Sequence, residues 1–233
     1  MRRQRAIVFD LDDTLYPYRA FVRSGFRAVG QRLAEQRGLP ERSVLRVLRR
    51  ALVGGERGRE LQALCARFSL PATLVPSLTA VMREHTPSIT LPLESRRVLT
   101  ALRESWRIGV LTNGTPRIQR RKVAALGLDT LVDEVVFAAE HGDGTGKPAT
   151  PAFYAALDRL RAAPAQTVFV GDDVRADIDG ASAVGMRTIH LLPRQAGVCG
   201  CGARNGGVHI HALAQVPAIA DQLVSMRAER YDC

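Results

Sequence analysis

The 233-residue sequence predicts an α/β fold: a parallel sheet wound by helices on both faces, with a helical insert after the first strand. Three observations carry this. The apolar run Ala6 to Leu11 stops at carboxylates, as a buried strand does when it delivers acids at its C-terminal end. From Ala20 to about Ala80 the apolar spacing is helical. Beyond that, helical patterns alternate with short apolar runs, the pattern of β–α units.

Each element follows from its own residues. In the insert, Phe21, Phe26, Val29 and Leu33 form one stripe at helical spacing, and Val44, Leu45, Leu48 and Leu52 form another. Gly38-Leu39-Pro40 and Gly54-Gly55 punctuate these stretches as turns, and Pro87 and Pro92 bracket a linker. A helix over about Glu94–Glu104 then leads to a strand at Ile108–Leu111, and a helix at Pro116–Leu126 leads to Glu134–Phe137. A helix at Pro151–Leu160 precedes the strand Thr167–Val170, and one across Ala176–Val184 precedes Thr188–Leu191. The expected division is a core of residues 1–16 plus 91–233 and an insert of residues 17–90. Ligands of such sheets bind beyond the carboxyl ends of the strands, so the residues just after each strand are where chemistry is expected.

Composition narrows the function classes. With 46% apolar and 24% charged residues the chain is expected to be soluble and globular. No apolar stretch approaches the roughly 18 residues of a membrane span. The run Ala6-Ile7-Val8-Phe9 is too short for a signal-peptide core, so a cytoplasmic protein with no membrane partner is expected. Four irregularly spaced cysteines make no disulfide framework and are expected as thiols. The net charge is +10, carried almost wholly by arginine, since Lys122 and Lys147 are the only lysines. Residues 17–90 hold thirteen arginines, five glutamates and no aspartate, hence +8 of that charge. Such a skew accords with genomic base composition, and it also suits an anionic ligand. Nucleic acid is not the expected partner, because aromatics are only 5% and no recognition motif is present.

The strand ends carry the chemistry. The first closes with Phe9-Asp10-Leu11-Asp12-Asp13-Thr14, and strand alternation puts Asp10 and Asp12 on one side. Two such carboxylates repel unless a cation or a shared proton relieves them. One can act as nucleophile and metal ligand while the other works as acid and base. After the second strand, Thr112-Asn113-Gly114 offers a hydroxyl and backbone N–H groups ahead of a helix, a place for phosphoryl oxygens. Lys147 stands in Gly144-Thr145-Gly146-Lys147-Pro148, where an ammonium would neutralise phosphate charge; the spacing is not that of a Walker A loop. The fourth strand ends in Gly171-Asp172-Asp173-Val174-Arg175-Ala176-Asp177, and an oxygen-rich cluster of this kind selects magnesium over zinc.

In this order, at successive strand ends, these fragments resemble the four motifs of the haloacid dehalogenase superfamily: Asp-x-Asp-x-Thr, Ser/Thr, Lys and Gly-Asp-x(n)-Asp. The resemblance runs from Ala6 to about Leu192. It implies a Rossmann-like core and makes the insert similar to a C1-type cap. It further implies a magnesium-dependent phosphatase acting on a small anionic phosphorylated substrate, a sugar phosphate or a nucleoside monophosphate. Asp10 is then the nucleophile, and Asp12 protonates the leaving oxygen and activates water. Mg2+ is held by the carboxylates of Asp10 and Asp172 and the main-chain carbonyl of Asp12. Thr112, Asn113 and Lys147 bind the phosphoryl group, and Asp177 supports Lys147 or the metal's water shell. Asp173 competes with Asp172 for the ligand role.

Within the superfamily, Asp12 argues against dehalogenation, which needs no acid on the leaving halide. Phosphonatases use a cap lysine, and residues 17–90 contain none. A phosphomutase differs mainly in shielding the aspartyl-phosphate from water and stays open. From a different class, a basic binding protein on an inactive core conflicts with the intact acid set. Arg19 and Arg23, four residues apart after the first motif, share a helix face and are expected to recognise a second anionic or polyhydroxyl group of the substrate. Cys199-x-Cys201 with His209-x-His211 has zinc-ligand types without finger spacing, and Val208–His211 has the alternation of a short strand.

Overall fold

The computed structural model describes residues 5–54, 58–192 and 207–225. Six strands form one parallel sheet of order β3-β2-β1-β4-β5-β6. They are β1 (Ala6–Phe9), β2 (Arg107–Thr112), β3 (Glu134–Phe137), β4 (Thr167–Gly171), β5 (Arg187–Leu191) and β6 (Val208–Ile210). The central strand β1 is wholly buried, because β2 and β4 flank it and helices cover both faces of such a sheet. Strand order reverses between β1 and β4, and a doubly wound sheet opens its ligand crevice at that switch point. Asp10 leaves β1 there, its N–H still donating to Val170 O at 2.9 Å.

Chain packing divides the molecule into two compact units. One is Met1–Pro17 with Thr90–Cys233 and the other is Tyr18–Ile89. In the first, helices α5 (Leu93–Leu102), α6 (Pro116–Leu126), α7 (Thr150–Leu160), α8 (Gly180–Ala183) and α9 (Val216–Ser225) accompany the sheet. Phe153, Ala156 and Leu160 of α7 pack with Val8, Leu111, Val136 and Phe169 of the strands. Helix α6 opens with Pro116 at its first position, where a missing N–H costs nothing, and ends at Gly127 in the left-handed region.

Among its described residues the second unit is helical, with α1 (Tyr18–Arg37), α2 (Glu41–Val53), α3 (Glu60–Arg67) and α4 (Val75–Glu84). The stripe Phe26, Val29 and Leu33 of α1 meets Val44 and Leu48 of α2, Leu61 and Leu64 of α3 and Leu78 of α4 in one apolar core. Leu45 and Leu52 lie at its partly buried edge. Burying each such side chain contributes about 1.5–3 kcal/mol, so this unit has a core of its own.

The strands and helices expected from the sequence are present with small shifts at their ends. One difference matters to the site. The helix expected across Ala176–Val184 begins as a π-helical turn, Val174–Asp179, before the short α8. Asp173 O accepts from both Asp177 N at 2.9 Å and Ile178 N at 3.3 Å. Widened turns of this kind concentrate at functional sites. Among the described residues no helix is long and apolar enough to cross a membrane.

Candidate active site

Buried β-strands carry Asp10, Thr112 and Asp172 to one end of the sheet, because parallel strands all finish on the same side. Lys147 comes from the loop after β3 and is only 5% exposed, so it is a buried ammonium and not a solvated one. Its Nζ lies 2.5 Å from Asp10 Oδ1 and 2.6 Å from Asp177 Oδ1. Burial alone would lower its pKa, but Asp10 and Asp177 outweigh that and raise it, so the ammonium stays charged.

Two glycines are dictated by this packing. Gly146 has φ +74°, and a Cβ there would stand 2.6 Å from Asn113 Oδ1. A Cβ at Gly171 would collide with the Asp177 carboxylate. The Asn113 side chain grips the backbone of Lys147 on both sides: its Oδ1 accepts from Lys147 N at 2.7 Å and its Nδ2 donates to Lys147 O at 2.9 Å. The Asn113 side chain is therefore engaged in holding the lysine loop.

Ligand atoms of Asp10, Asp172 and Asp177 lie within 4.8 Å of one another. Burial first, then the neighbouring Asp177 charge, works against ionisation of Asp10, and Lys147 only partly offsets this; its pKa is pushed up to about 7. Asp172 rises to about 6, chiefly by burial and then by the charges of Asp177 and Asp13. Crowded carboxylates that resist ionisation are what a hard divalent cation relieves, so the donor set fits a cation of the magnesium type. Thr14 Oγ1 stands 3.4 Å from Asp172 Oδ1. His190 Nε2 donates to Asp172 O at 3.0 Å, its Nδ1 being 3.2 Å from His209 Nδ1. Asp173, by contrast, is exposed and its Oδ1 accepts from Ala176 N at 2.7 Å as a helix cap, so it is not grouped with the other acids. The tandem aspartates thus separate: Asp172 joins the cluster and Asp173 caps the turn.

Asp12 departs from simple alternation. The strand ends at Phe9, and Asp12 sits in a turn bridged to Tyr16, with Asp13 at φ +60°. Its carboxylate faces a second lysine: Lys122 Nζ is 2.8 Å from Oδ1 and 2.7 Å from Oδ2. Gln119 Nε2 reaches Oδ2 at 2.9 Å and Tyr16 OH donates to Oδ1 at 2.5 Å. Burial lowers the pKa of Lys122, and the Asp12 charge opposes that. Gln119, Lys122 and Tyr16 were not singled out from the sequence as site residues, although one signal existed. Gln119, Lys122, Val123 and Leu126 fall at i, i+3, i+4 and i+7, so two polar residues occupy the buried stripe of α6.

Arg19 and Arg23 lie on α1 in the helical unit, both exposed. Arg23 lines a recess of about 520 Å³ there with Arg27, Arg49, Leu52 and Val53; Arg19 is not among its lining residues. Cys199 and Cys201 fall outside the described residues. His209 is on β6, and no group of three metal-ligand side chains among the described residues includes it.

Fold and site together are those of a parallel-sheet hydrolase with a lysine-bridged acidic centre. The chain belongs to the haloacid dehalogenase-like hydrolase family, whose model matches residues 4–185. It is similar to a ribulose-1,5-bisphosphate 5-phosphatase from Halopiger xanaduensis, 32% identical over 207 residues that cover 82% of this chain and 85% of that one. A glyceraldehyde 3-phosphate phosphatase from Methanopyrus kandleri is 28% identical over 196 residues, covering 80% and 83%. Among solved structures, a β-phosphoglucomutase homologue from Thermotoga maritima shares the fold with a TM-score of 0.65 at 18% identity, over 94% of this chain and 99% of that one.

Proposed function

We propose that this protein is a magnesium-dependent phosphatase that hydrolyses a small phosphate monoester through an aspartyl-phosphate on Asp10. The observation that carries the reading is the buried Asp10–Lys147–Asp177 arrangement beside Asp172 at the switch point of the sheet. The carboxylates of Asp10 and Asp172 and the main-chain carbonyl of Asp12 would hold Mg2+, which when bound neutralises charge on the phosphoryl oxygens. An Asp10 oxygen attacks phosphorus while the bond to the leaving oxygen breaks and Asp12 supplies that oxygen's proton. Asp12 then takes a proton from water as the water oxygen attacks phosphorus, which frees Asp10 and inorganic phosphate. Lys147 and the Thr112 hydroxyl hold the transferring group, and Asp177 keeps the Lys147 ammonium in place. The helical unit, residues 17–90 as bounded from sequence, serves as a cap, and the work is done in the cytoplasm.

A sugar phosphate is the favoured substrate over a nucleoside monophosphate, because the phosphatases that resemble the chain act on ribulose bisphosphate and glyceraldehyde 3-phosphate. A panel of phosphate esters tests this. Release from nucleoside monophosphates alone would reverse the order, and transfer of phosphate between positions of one sugar without release would identify a mutase.

Metal removal gives a second expected result. Chelation abolishes activity, Mg2+ restores it and Ca2+ does not, because calcium's six to eight oxygen ligands misplace the nucleophilic carboxylate. Asp172→Ala weakens Mg2+ activation more than Asp173→Ala; the reverse ranking would transfer the ligand role. The raised Asp10 and Asp172 carboxyls set the pH dependence. In the metal-free fold both bind protons at pH values where the unfolded chain has lost them. Metal-free stability therefore falls as pH rises from about 4 towards 7. Mg2+ must displace those protons, so its affinity weakens as pH is lowered from about 8 through 6 and levels off above about 8. Calorimetric titration across pH 5 to 8 measures this, and a pH-independent affinity would contradict it.

For the cap arginines, Arg19→Ala and Arg23→Ala are expected to raise KM for the physiological substrate about tenfold, a loss of about 1.4 kcal/mol of binding. Turnover of p-nitrophenyl phosphate should hardly change, since its leaving group has nothing for them to hold. Equal losses on both esters would mean that they support the unit itself.

A further inference from the structure

Lys122 has no place in the four motifs, yet it is 3% exposed and its ammonium spans both oxygens of the Asp12 carboxylate. We propose that Lys122 and Gln119 are positioning residues that fix Asp12 against Thr112, so that helix α6 sets the geometry of both proton transfers. The proposal rests on the phosphatase reading above. Gln119 Nε2 contacts Asp12 Oδ2 at 2.9 Å, Thr112 Oγ1 at 2.6 Å and Asn113 O at 2.6 Å, so one amide ties the acid–base residue to the residue that binds the phosphoryl group. Each Asp12 oxygen is held by two donors, Lys122 and Tyr16 on Oδ1 and Lys122 and Gln119 on Oδ2. Turning the carboxylate breaks these contacts together.

Stability alone does not account for this pair. A buried ion pair can usually be replaced by apolar residues without loss, whereas removing one partner is costly. The residue type also points to position. The chain uses arginine almost everywhere that it needs a cation, and its two lysines are the two ammonium groups buried against Asp10 and Asp12. A compact ammonium can sit between two carboxylate oxygens in a closed site where a planar guanidinium fork would need more room.

The test uses the full chain with Mg2+ and p-nitrophenyl phosphate, whose leaving group departs without a proton, beside the best alkyl phosphate of the panel. In Lys122→Met the first half-reaction on the aryl ester survives, and its kcat/KM falls less than tenfold. The water step, which needs an aligned Asp12, slows by about 10²-fold or more. The aryl ester then shows a burst of one nitrophenolate per site, with kcat and KM falling together. The alkyl ester, which needs the proton at once, loses about 10²-fold in kcat/KM. Gln119→Leu reproduces the pattern more weakly and decides the matter if Lys122→Met does not fold. Equal loss of kcat/KM on both esters without a burst, or no loss on either, overturns the proposal. A wild-type protein inactive on every ester would instead overturn the phosphatase reading, and the positioning role with it.

Discussion

Asp10→Asn is expected to abolish phosphate release from every ester, a loss on the order of 10⁴-fold or more in kcat, because an amide is no nucleophile towards phosphorus. The fold should survive, since the amide oxygen still accepts from Lys147 Nζ where Asp10 Oδ1 does now. The change also removes one of the crowded negative charges whose burial raises the Asp10 pKa, so the metal-free variant should be at least as stable as the parent at pH 8. Beryllium fluoride with magnesium should inhibit the parent protein by mimicking the acyl-phosphate. Denaturant melts and phosphate-release assays on one preparation measure both effects. Full activity in Asp10→Asn would remove the mechanism altogether.

Lys147→Met is expected to cost about 10²–10³-fold in kcat, the range for losing one preorganised charge at the transferring group. Its effect on stability is equally diagnostic. With the ammonium gone, Asp10 and Asp177 face each other without compensation, and breaking a buried pair in this way costs about 3–5 kcal/mol. Protonation relieves that cost. The variant's deficit should therefore shrink from pH 8 to pH 5.5, because the folded state then binds protons that the unfolded state does not. Added Mg2+ should also recover part of it by supplying positive charge to the same acids. Urea melts at the two pH values, with and without Mg2+, read both effects. Parent-like stability throughout would mean that the ammonium does not hold these carboxylates together.

The alternation of helices and short apolar strands was legible from residue 93 onward because parallel strands are buried on both faces and read as unbroken apolar runs. Asp10, Thr112 and Asp172 were legible because each stands at the end of such a run, where sequence order alone fixes which end of the sheet it reaches; Lys147, in the loop beyond β3, was legible from its glycine-rich setting and the scarcity of lysine. The π-helical turn at Val174–Asp179 left no such mark: its residues read as an ordinary helix start, and the i+5 bond to Asp173 O is a backbone choice that packing makes. That turn separates Asp172 from Asp173, a distinction two adjacent identical residues cannot carry in their names.

The sequence by itself determined the sheet, the helical insert and the order of acids and lysine along the chain, since local apolar periodicity and strand-end position are properties of neighbouring residues. Only the tertiary structure decided which partners those groups take. Lys122 and Asp12 are 110 positions apart, so their pairing is a product of how α6 packs beside the first strand's turn. The Asn113 side chain likewise clamps the backbone of Lys147, because the loop that carries Gly146 passes within bonding reach of it. Hydrogen bonds across such separations depend on the folded geometry, which no spacing rule along the chain contains.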